Sequence, residues 1–242
     1  MKKISVVIPN YNEEKTISIL IDRVKKVDLS DLNVKKEIIV IDDGSTDNSK
    51  KIIRQIKGIK RLYHKKNLGK GAAIKTGIKH ATGDIIIIQD ADLEYNPEEY
   101  PKLISPILRG STNVVYGSRY NTPSQKKRII NILKSLHKGQ YILGYMGSRF
   151  LTKLANVLYG LQITDEATGY KVFKSSILKA IPLRCTGFEF CPEITAKIAK
   201  RGFKIIEVPI SYSPRKYNEG KKINWKHGFQ AIWILIKYRF VD

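Results

Sequence analysis

Short aliphatic runs alternate with amphipathic stretches through the first half of the chain. Ile4-Ser5-Val6-Val7-Ile8, Glu37-Ile38-Ile39-Val40-Ile41 and Ile85-Ile86-Ile87-Ile88 have the length and apolarity of strands covered on both faces. Arg61-Leu62-Tyr63, Val114-Val115-Tyr116 and Lys204-Ile205-Ile206-Glu207-Val208 predict further strands. Between them the apolar spacing becomes helical. Residues 13–27 carry Ile17, Leu20, Ile21 and Val24 on one face. Thr46-Asp47-Asn48-Ser49 supplies capping side chains for a helix reaching Ile56. A glycine-rich turn, Asn67-Leu68-Gly69-Lys70-Gly71, feeds a helix over 72–80. Pro97, Glu98 and Glu99 open another over 97–108, with proline in the first turn and acids at the positive helix end. This alternation predicts an α/β fold, with a mostly parallel central sheet flanked by helices and right-handed crossovers.

After Arg119 the pattern changes. Residues 121–125 read as a polar loop, and 126–143 and 148–159 as helices that are basic on one side and apolar on the other. Residues 175–181 and 192–201 are helical in spacing, with Gly202 as a stop signal. Residues 225–240 form a last amphipathic helix rich in aromatic side chains. With no internal repeat and no low-complexity linker, the 242 residues predict one domain, of a first half 1–119 and a second half 120–242 carrying a basic helical insertion and a C-terminal helix.

Charge sharpens the picture. The formal net charge is +22, which favours acidic partners such as nucleotides, nucleic acid or anionic lipid. No acidic residue stands between Glu99 and Asp165, and a second basic block follows Pro214. The positive charge therefore belongs to particular surfaces. Cys185 and Cys191 lack metal-type spacing and read as ordinary thiols of a reducing compartment. The four histidines are scattered and read as structural. The apolar stretch after Lys3 is too short for a signal-peptide core, and no apolar run has the roughly 18 residues of a membrane-spanning helix.

Three predicted strands end in polar clusters: Pro9-Asn10-Tyr11-Asn12-Glu13, Asp42-Asp43-Gly44-Ser45 and Asp90-Ala91-Asp92. In a parallel sheet these ends share one edge, where open α/β sheets bind ligands. Side chains at i and i+2 of an extended chain point the same way, so Asp90 and Asp92 converge if the strand persists. Hard oxygen donors there suit Mg²⁺ or Mn²⁺ carrying a phosphorylated substrate. Tyr11 can stack on a base, Asp43 can accept from a base N–H or ribose hydroxyl, and Gly44 and Gly71 allow close backbone approach. Together these read as a nucleoside-diphosphate site. The dinucleotide fingerprint and the P-loop are both absent.

The chain resembles the family-2 nucleotide-sugar glycosyltransferases of GT-A fold, and within them the polyprenyl-phosphate sugar synthases of the dolichyl-phosphate mannose synthase type. The resemblance rests on Val7 through Glu13, Val40 through Ser45, Asn67 through Ala72, Asp90 through Glu94, Gly117-Ser118-Arg119, Thr164 through Lys171, Gly187 through Phe190, and Arg215 through Lys222, in the family's order. It implies nucleoside binding at Pro9, Tyr11, Glu13, Asp42, Asp43, Gly71, Asp90 and Ala91. It implies a metal at Asp90 and Asp92, with Glu94 as a possible third oxygen ligand where the mannose synthases often carry glutamine. Arg119, Arg215 and Lys222 match basic positions that grip phosphates, and with Asp92 they form the implied catalytic set.

The implied reaction is inverting transfer of a hexose from a nucleoside-diphosphate sugar (GDP-mannose or UDP-glucose class) to a polyprenyl or dolichyl phosphate. A phosphate acceptor is already anionic and needs aligned cations rather than a base. A saccharide hydroxyl, the alternative acceptor, needs a carboxylate base, for which Asp165 and Glu166 are candidates. The basic helices over 126–159, and Trp225, Phe229, Trp233, Tyr238 and Phe240 with their neighbouring cations, suit an anionic membrane surface. The expected location is cytoplasmic, peripheral to the inner face of the cell membrane. A nucleic-acid binder or metal-dependent nuclease is a further alternative, but the basic blocks are interleaved with aliphatic residues rather than lining a strand path, so no nucleic-acid partner is expected. The sequence leaves the oligomeric state open.

Overall fold

The computed structural model describes residues 1–122, 124, 127, 131, 139–215 and 225–241. Side chains of 139–143 and 225 lie outside the described set. So do Lys222 and most of the expected basic helix over 126–143.

Seven strands form one sheet in the order β3-β2-β1-β4-β6-β5-β7. They are β1 (Lys2–Asn10), β2 (Val34–Asp42), β3 (Lys60–Tyr63), β4 (Ile85–Ile88), β5 (Val114–Ser118), β6 (Lys171–Lys174) and β7 (Ile205–Pro209). β1 lies between β2 and β4, parallel to both, with Asn10 opposite Asp42. The three polar strand ends therefore do meet on one edge. The sheet is mostly parallel as expected, except for β6, which pairs antiparallel with both β4 and β5. Nothing in the apolar pattern signalled this strand. It is four residues long with lysine at each end, and Lys171 is fully buried because its ammonium donates to the Glu166 carbonyl (2.7 Å) and lies 3.6 Å from the Tyr116 ring centroid.

Among the described residues the α-helices are α1 (Ile17–Lys26), α2 (Ser49–Gln55), α3 (Lys70–His80), α4 (Tyr100–Leu108), α5 (Gly139–Tyr159), α6 (Ser175–Lys179), α7 (Phe190–Lys200) and α8 (Trp225–Phe240). Both sheet faces are covered. On one face Ile4, Val6, Ile8, Ile85 and Ile87 pack with α1 and α4; on the other, Val7, Ile39, Ile86 and Ile88 pack with α3, α6 and α7. The isoleucine run is thus buried on both sides, as its composition requires.

Three expectations need correction. α1 begins at Ile17 rather than Glu13, because the Glu13 carbonyl takes the Thr16 and Ile17 amides in a preceding turn. Residues 97–99 are a 3-10 turn before α4. The break expected between 143 and 148 is absent, since α5 runs through Gly144 and Gly147 in open space.

α3 reaches the sheet through a glycine. A Cβ on Gly77 would lie 2.3 Å from Val7 Cγ1 and 2.9 Å from Ile41 Cδ1. Gly77→Val is therefore expected to destabilise the fold by about 2–3 kcal/mol through overpacking, read as a lower urea midpoint with an unchanged slope.

Candidate active site

The site is built where β1, β2 and β4 end. Asn10 sits at the end of β1, and its amide donates to Asp42 Oδ1 (3.1 Å) and Ser45 Oγ (3.3 Å). Pro9 and Asp42 are buried in their strands, while Tyr11 is half-buried in the following bend. Asp43 is 2% exposed, and both of its oxygens are engaged. Oδ1 accepts from Leu68 N (3.0 Å) and contacts His64 Nδ1 (2.6 Å); Oδ2 accepts from Gly69 N (2.8 Å). Asp43 thus holds the 64–69 loop rather than presenting a free carboxylate to a nucleoside. The glycines act similarly. At Gly44, with φ +70°, the close neighbour is the Lys66–Asn67 backbone, and at Gly71 it is the backbone of Thr186 and Gly187.

Asp90 and Asp92 come together by a different route from the one expected. β4 stops at Ile88 and the chain turns through Ala91 and Asp92, with Leu93 at φ +63°. Extended geometry does not persist to Asp92. Buried Gln89 fixes the strand end. Its Oε1 accepts from the Tyr100 (2.8 Å) and Tyr170 (2.7 Å) hydroxyls, and its amide donates to the Asp90 carbonyl (2.9 Å). Gly169 leaves room for Asp90, since a Cβ there would lie 2.4 Å from Asp90 Oδ2.

The carboxylates are countered by cations from distant segments. Lys70 Nζ pairs with Asp90 Oδ1 at 2.5 Å. Burial lowers the Lys70 pKa, but Asp90 more than offsets this and holds it at about 12. Arg215 forks onto Glu13, with Nη1 to Oε2 and Nη2 to Oε1 both at 2.9 Å, and Nη2 lies 3.4 Å from Asp92 Oδ2. Glu94 lies near the Asp pair, but both of its oxygens are engaged elsewhere. Its Oε2 accepts from the Tyr212 hydroxyl (2.8 Å) and its Oε1 from Arg215 N (2.9 Å). Its chemistry here is to fasten the 211–215 segment. Glu99 helps, accepting from Ser211 N at 2.9 Å.

Arg119 is buried and forks onto Asp165, with Nε to Oδ2 and Nη2 to Oδ1 both at 2.7 Å. Its guanidinium lies over Tyr212 (4.9 Å) and Tyr120 (5.2 Å). Asp165 is fully buried. Glu166 is buried too, with Oε1 accepting from Thr195 Oγ1 at 3.2 Å, and burial raises its pKa.

Among the described residues no group of three His, Cys, Asp or Glu has the arrangement of a metal cage. The Asp90–Asp92 pair nevertheless fits a divalent cation that also takes oxygens from a phosphorylated substrate. Burial, and then the neighbouring carboxylates Asp90 and Glu94, push the Asp92 carboxyl up to about 7 despite Arg215. The burial penalty comes first, the neighbouring carboxylates add to it, and Arg215 only partly offsets them.

Sequence reasoning passed over Lys70, Gln89, Gly169 and Tyr212. Lys70 stands inside a glycine-rich turn, where nothing local marks it as the partner of Asp90. Tyr212 and Gln89 had no local signal, because their partners are remote in the chain.

Comparison with known proteins agrees with this architecture. A profile described as Glycosyl transferase family 2 matches residues 5–181. The chain is 30% identical over 256 residues to a UDP-N-acetylglucosamine–dolichyl-phosphate N-acetylglucosaminyltransferase of Methanococcus voltae, covering 97% of this chain and 95% of that protein. It is 31% identical over 222 residues to a dolichol-phosphate mannosyltransferase of Pyrococcus furiosus, covering 90% of this chain and 59% of that protein. In structure it resembles glucosyl-3-phosphoglycerate synthase of Mycobacterium tuberculosis, crystallised with Mn²⁺, UDP and phosphoglyceric acid, at a TM-score of 0.70 and 22% identity over 100% of this chain and 80% of that one. The fold is thus of the GT-A type, and the chain belongs to glycosyl transferase family 2.

The Asp43 cluster yields a test. Asp43→Ala leaves two loop amides and His64 without their acceptor, so it is expected to cost about 2–4 kcal/mol of stability. Faster hydrogen exchange should be confined to residues 64–69 at first. Unchanged exchange in that loop would contradict the positioning role.

Proposed function

We propose that this glycosyltransferase moves a hexose from a UDP- or GDP-linked donor to a polyprenyl phosphate at the inner face of the cell membrane, inverting the anomeric carbon. Asp90 and Asp92 would hold Mg²⁺ or Mn²⁺. When bound, the cation offsets the charge that develops on the departing nucleoside diphosphate. Pro9, Tyr11 and Glu13 line the nucleoside end, with Asp42 and Asp43 shaping its floor. Lys70 and Arg215 bring positive charge to the phosphates, and the phosphate-gripping roles of Lys222 and of Arg119, which is closed on Asp165, rest on the sequence match alone. The names of the Methanococcus and Pyrococcus relatives, each stating a dolichyl or dolichol phosphate, support the acceptor class.

The observation that carries the reading is the state of Asp165. A hydroxyl acceptor needs a carboxylate free to take its proton. Asp165 has both oxygens taken by Arg119 and is fully buried, which leaves it a fixed counter-ion. A phosphate acceptor needs no base, only orientation.

Glu189 favours the second reading, a saccharide acceptor. It is buried, and its Oε2, like that of Glu166, has no hydrogen-bond partner among the described residues. Against a base role, although burial raises its pKa, the Gly187 and Thr186 amides hold it below the usual glutamate range. Such a carboxylate is a weak proton acceptor.

The test is transfer of labelled sugar from a panel of UDP- and GDP-sugars to a polyprenyl phosphate, read as organic-extractable product. Product is expected with Mg²⁺ or Mn²⁺, to vanish with chelator, and to fall by on the order of 100-fold in Asp92→Asn. Nucleoside-diphosphate release onto saccharides without lipid product would move the acceptor to a hydroxyl. Glu189→Gln separates the readings further. It retains the loop-holding oxygen and should leave lipid transfer within roughly fivefold of the parent, whereas a base would lose roughly 100-fold.

A further inference from the structure

α8 is apolar on two opposite sides. Ala231, Leu235 and Tyr238 recur at helical spacing and are buried against the body. The Tyr238 hydroxyl donates to Glu193 Oε1 at 3.0 Å, so this residue, expected at the membrane surface, belongs to the interior. Phe229, Trp233, Ile236 and Phe240 repeat the spacing on the other side and are exposed, Trp233 at 62% and Phe240 at 81%. A helix apolar all round is ordinarily a buried helix, so the outer stripe is built to be covered. α5 packs beside α8, with the Tyr159 hydroxyl donating to the Leu235 carbonyl at 2.6 Å. It too presents large exposed apolar side chains: Met146, Phe150 and Val157.

Charge identifies the cover. Neither α5 nor α8 contains an aspartate or glutamate, and the exposed stripes sit among Lys153, Lys226, Lys237 and Arg239. Two shallow cavities open along α5. One, of about 390 Å³, joins Phe150 to Arg149 and Lys153; the other, of about 360 Å³, joins Val157 to Lys200 and Arg239. Each sets cations beside an apolar side chain, the pairing that a phospholipid headgroup and its first methylenes require. A second copy of the same face would set cations against cations. An anionic leaflet attracts each of them by roughly 1 kcal/mol.

We infer that the exposed face of α5 and α8 docks on an anionic lipid surface, with Trp233 and Phe240 entering the interface. Behind that face, the inner side of α8 adjoins the site. The His227 ring of α8 lies 4.8 Å from the Phe188 ring, which is 5.7 Å from Lys70 Nζ, the partner of Asp90. The inference rests on the lipid-acceptor reading for its purpose: a surface-bound enzyme meets a bilayer-held phosphate beside its donor site.

The experiment is co-sedimentation of the full chain with phosphatidylcholine vesicles, with and without phosphatidylglycerol, at low salt. The parent is expected to bind anionic vesicles and not neutral ones. Trp233→Ser/Phe240→Ser and Lys237→Glu/Arg239→Glu should each weaken binding by about tenfold or more, and added salt should weaken the parent. A parent that ignores anionic vesicles overturns the inference, as do two double variants that bind like the parent. So does a lipid-free dimer in sedimentation velocity that Trp233→Ser/Phe240→Ser abolishes, since the face then belongs to a second copy. Sugar transfer in the same vesicles separates the two readings. Docking without lipid product defeats the acceptor reading alone. Lipid product with unaltered binding of the variants defeats the docking face alone.

Discussion

The fork between Arg215 and Glu13 is the interaction on which the site's shape depends. It joins residues 202 positions apart and ties the loop after β1 to the 211–215 segment. The same guanidinium reaches Asp92, and the Arg215 amide is held by Glu94. One side chain therefore sets the spacing between the loop after β1 and the Asp-x-Asp turn. Because the fork is bidentate it fixes orientation as well as distance, which a lysine would not do.

The cation also answers an electrostatic constraint. Glu13, Asp90, Asp92 and Glu94 converge at the ends of buried strands, on a chain whose net charge is strongly positive. Carboxylates so close can all stay ionised only if positive charge is brought among them. Lys70 and Arg215 bring it from the start of α3 and from the segment after β7. At Arg119 and Asp165 the same logic is satisfied privately, as a closed pair. The two arrangements differ in consequence. Asp90 and Asp92 share cations with one another's surroundings and can exchange them for another counter-charge, whereas Asp165 cannot leave Arg119 without stranding a buried charge.

This division explains what was legible in the sequence. Burial on both faces shows in composition, so the isoleucine run announced a covered central strand, and the polar residues at its end announced the site edge. The parallel order of β1, β2 and β4 followed from the alternation with helices. Long-range charge pairing leaves no local trace. Nothing near Glu13 points to Arg215, and nothing near Asp90 points to Lys70 except its place in a turn. The convergence of Asp90 and Asp92 has a different geometric cause from strand alternation, because β4 ends at Ile88 and the chain already turns at Ala91 and Asp92. β6 was missed because its buried lysine is stabilised by a carbonyl and a ring that only the folded chain brings to it.

On the proposed reading, donor binding and acceptor alignment are linked through the same two cations. Asp90 and Asp92 would hold the divalent ion of a nucleoside diphosphate, which would supply counter-charge where Lys70 and Arg215 now provide it. Those side chains would then be free to turn their N–H groups to phosphate oxygens while Glu13 still anchors Arg215. The acceptor phosphate would meet a cleft whose positive charge is available only once the donor is present. Catalysis then lies in the placement of charge rather than in a proton-transferring side chain, as the closed Arg119–Asp165 pair already suggests.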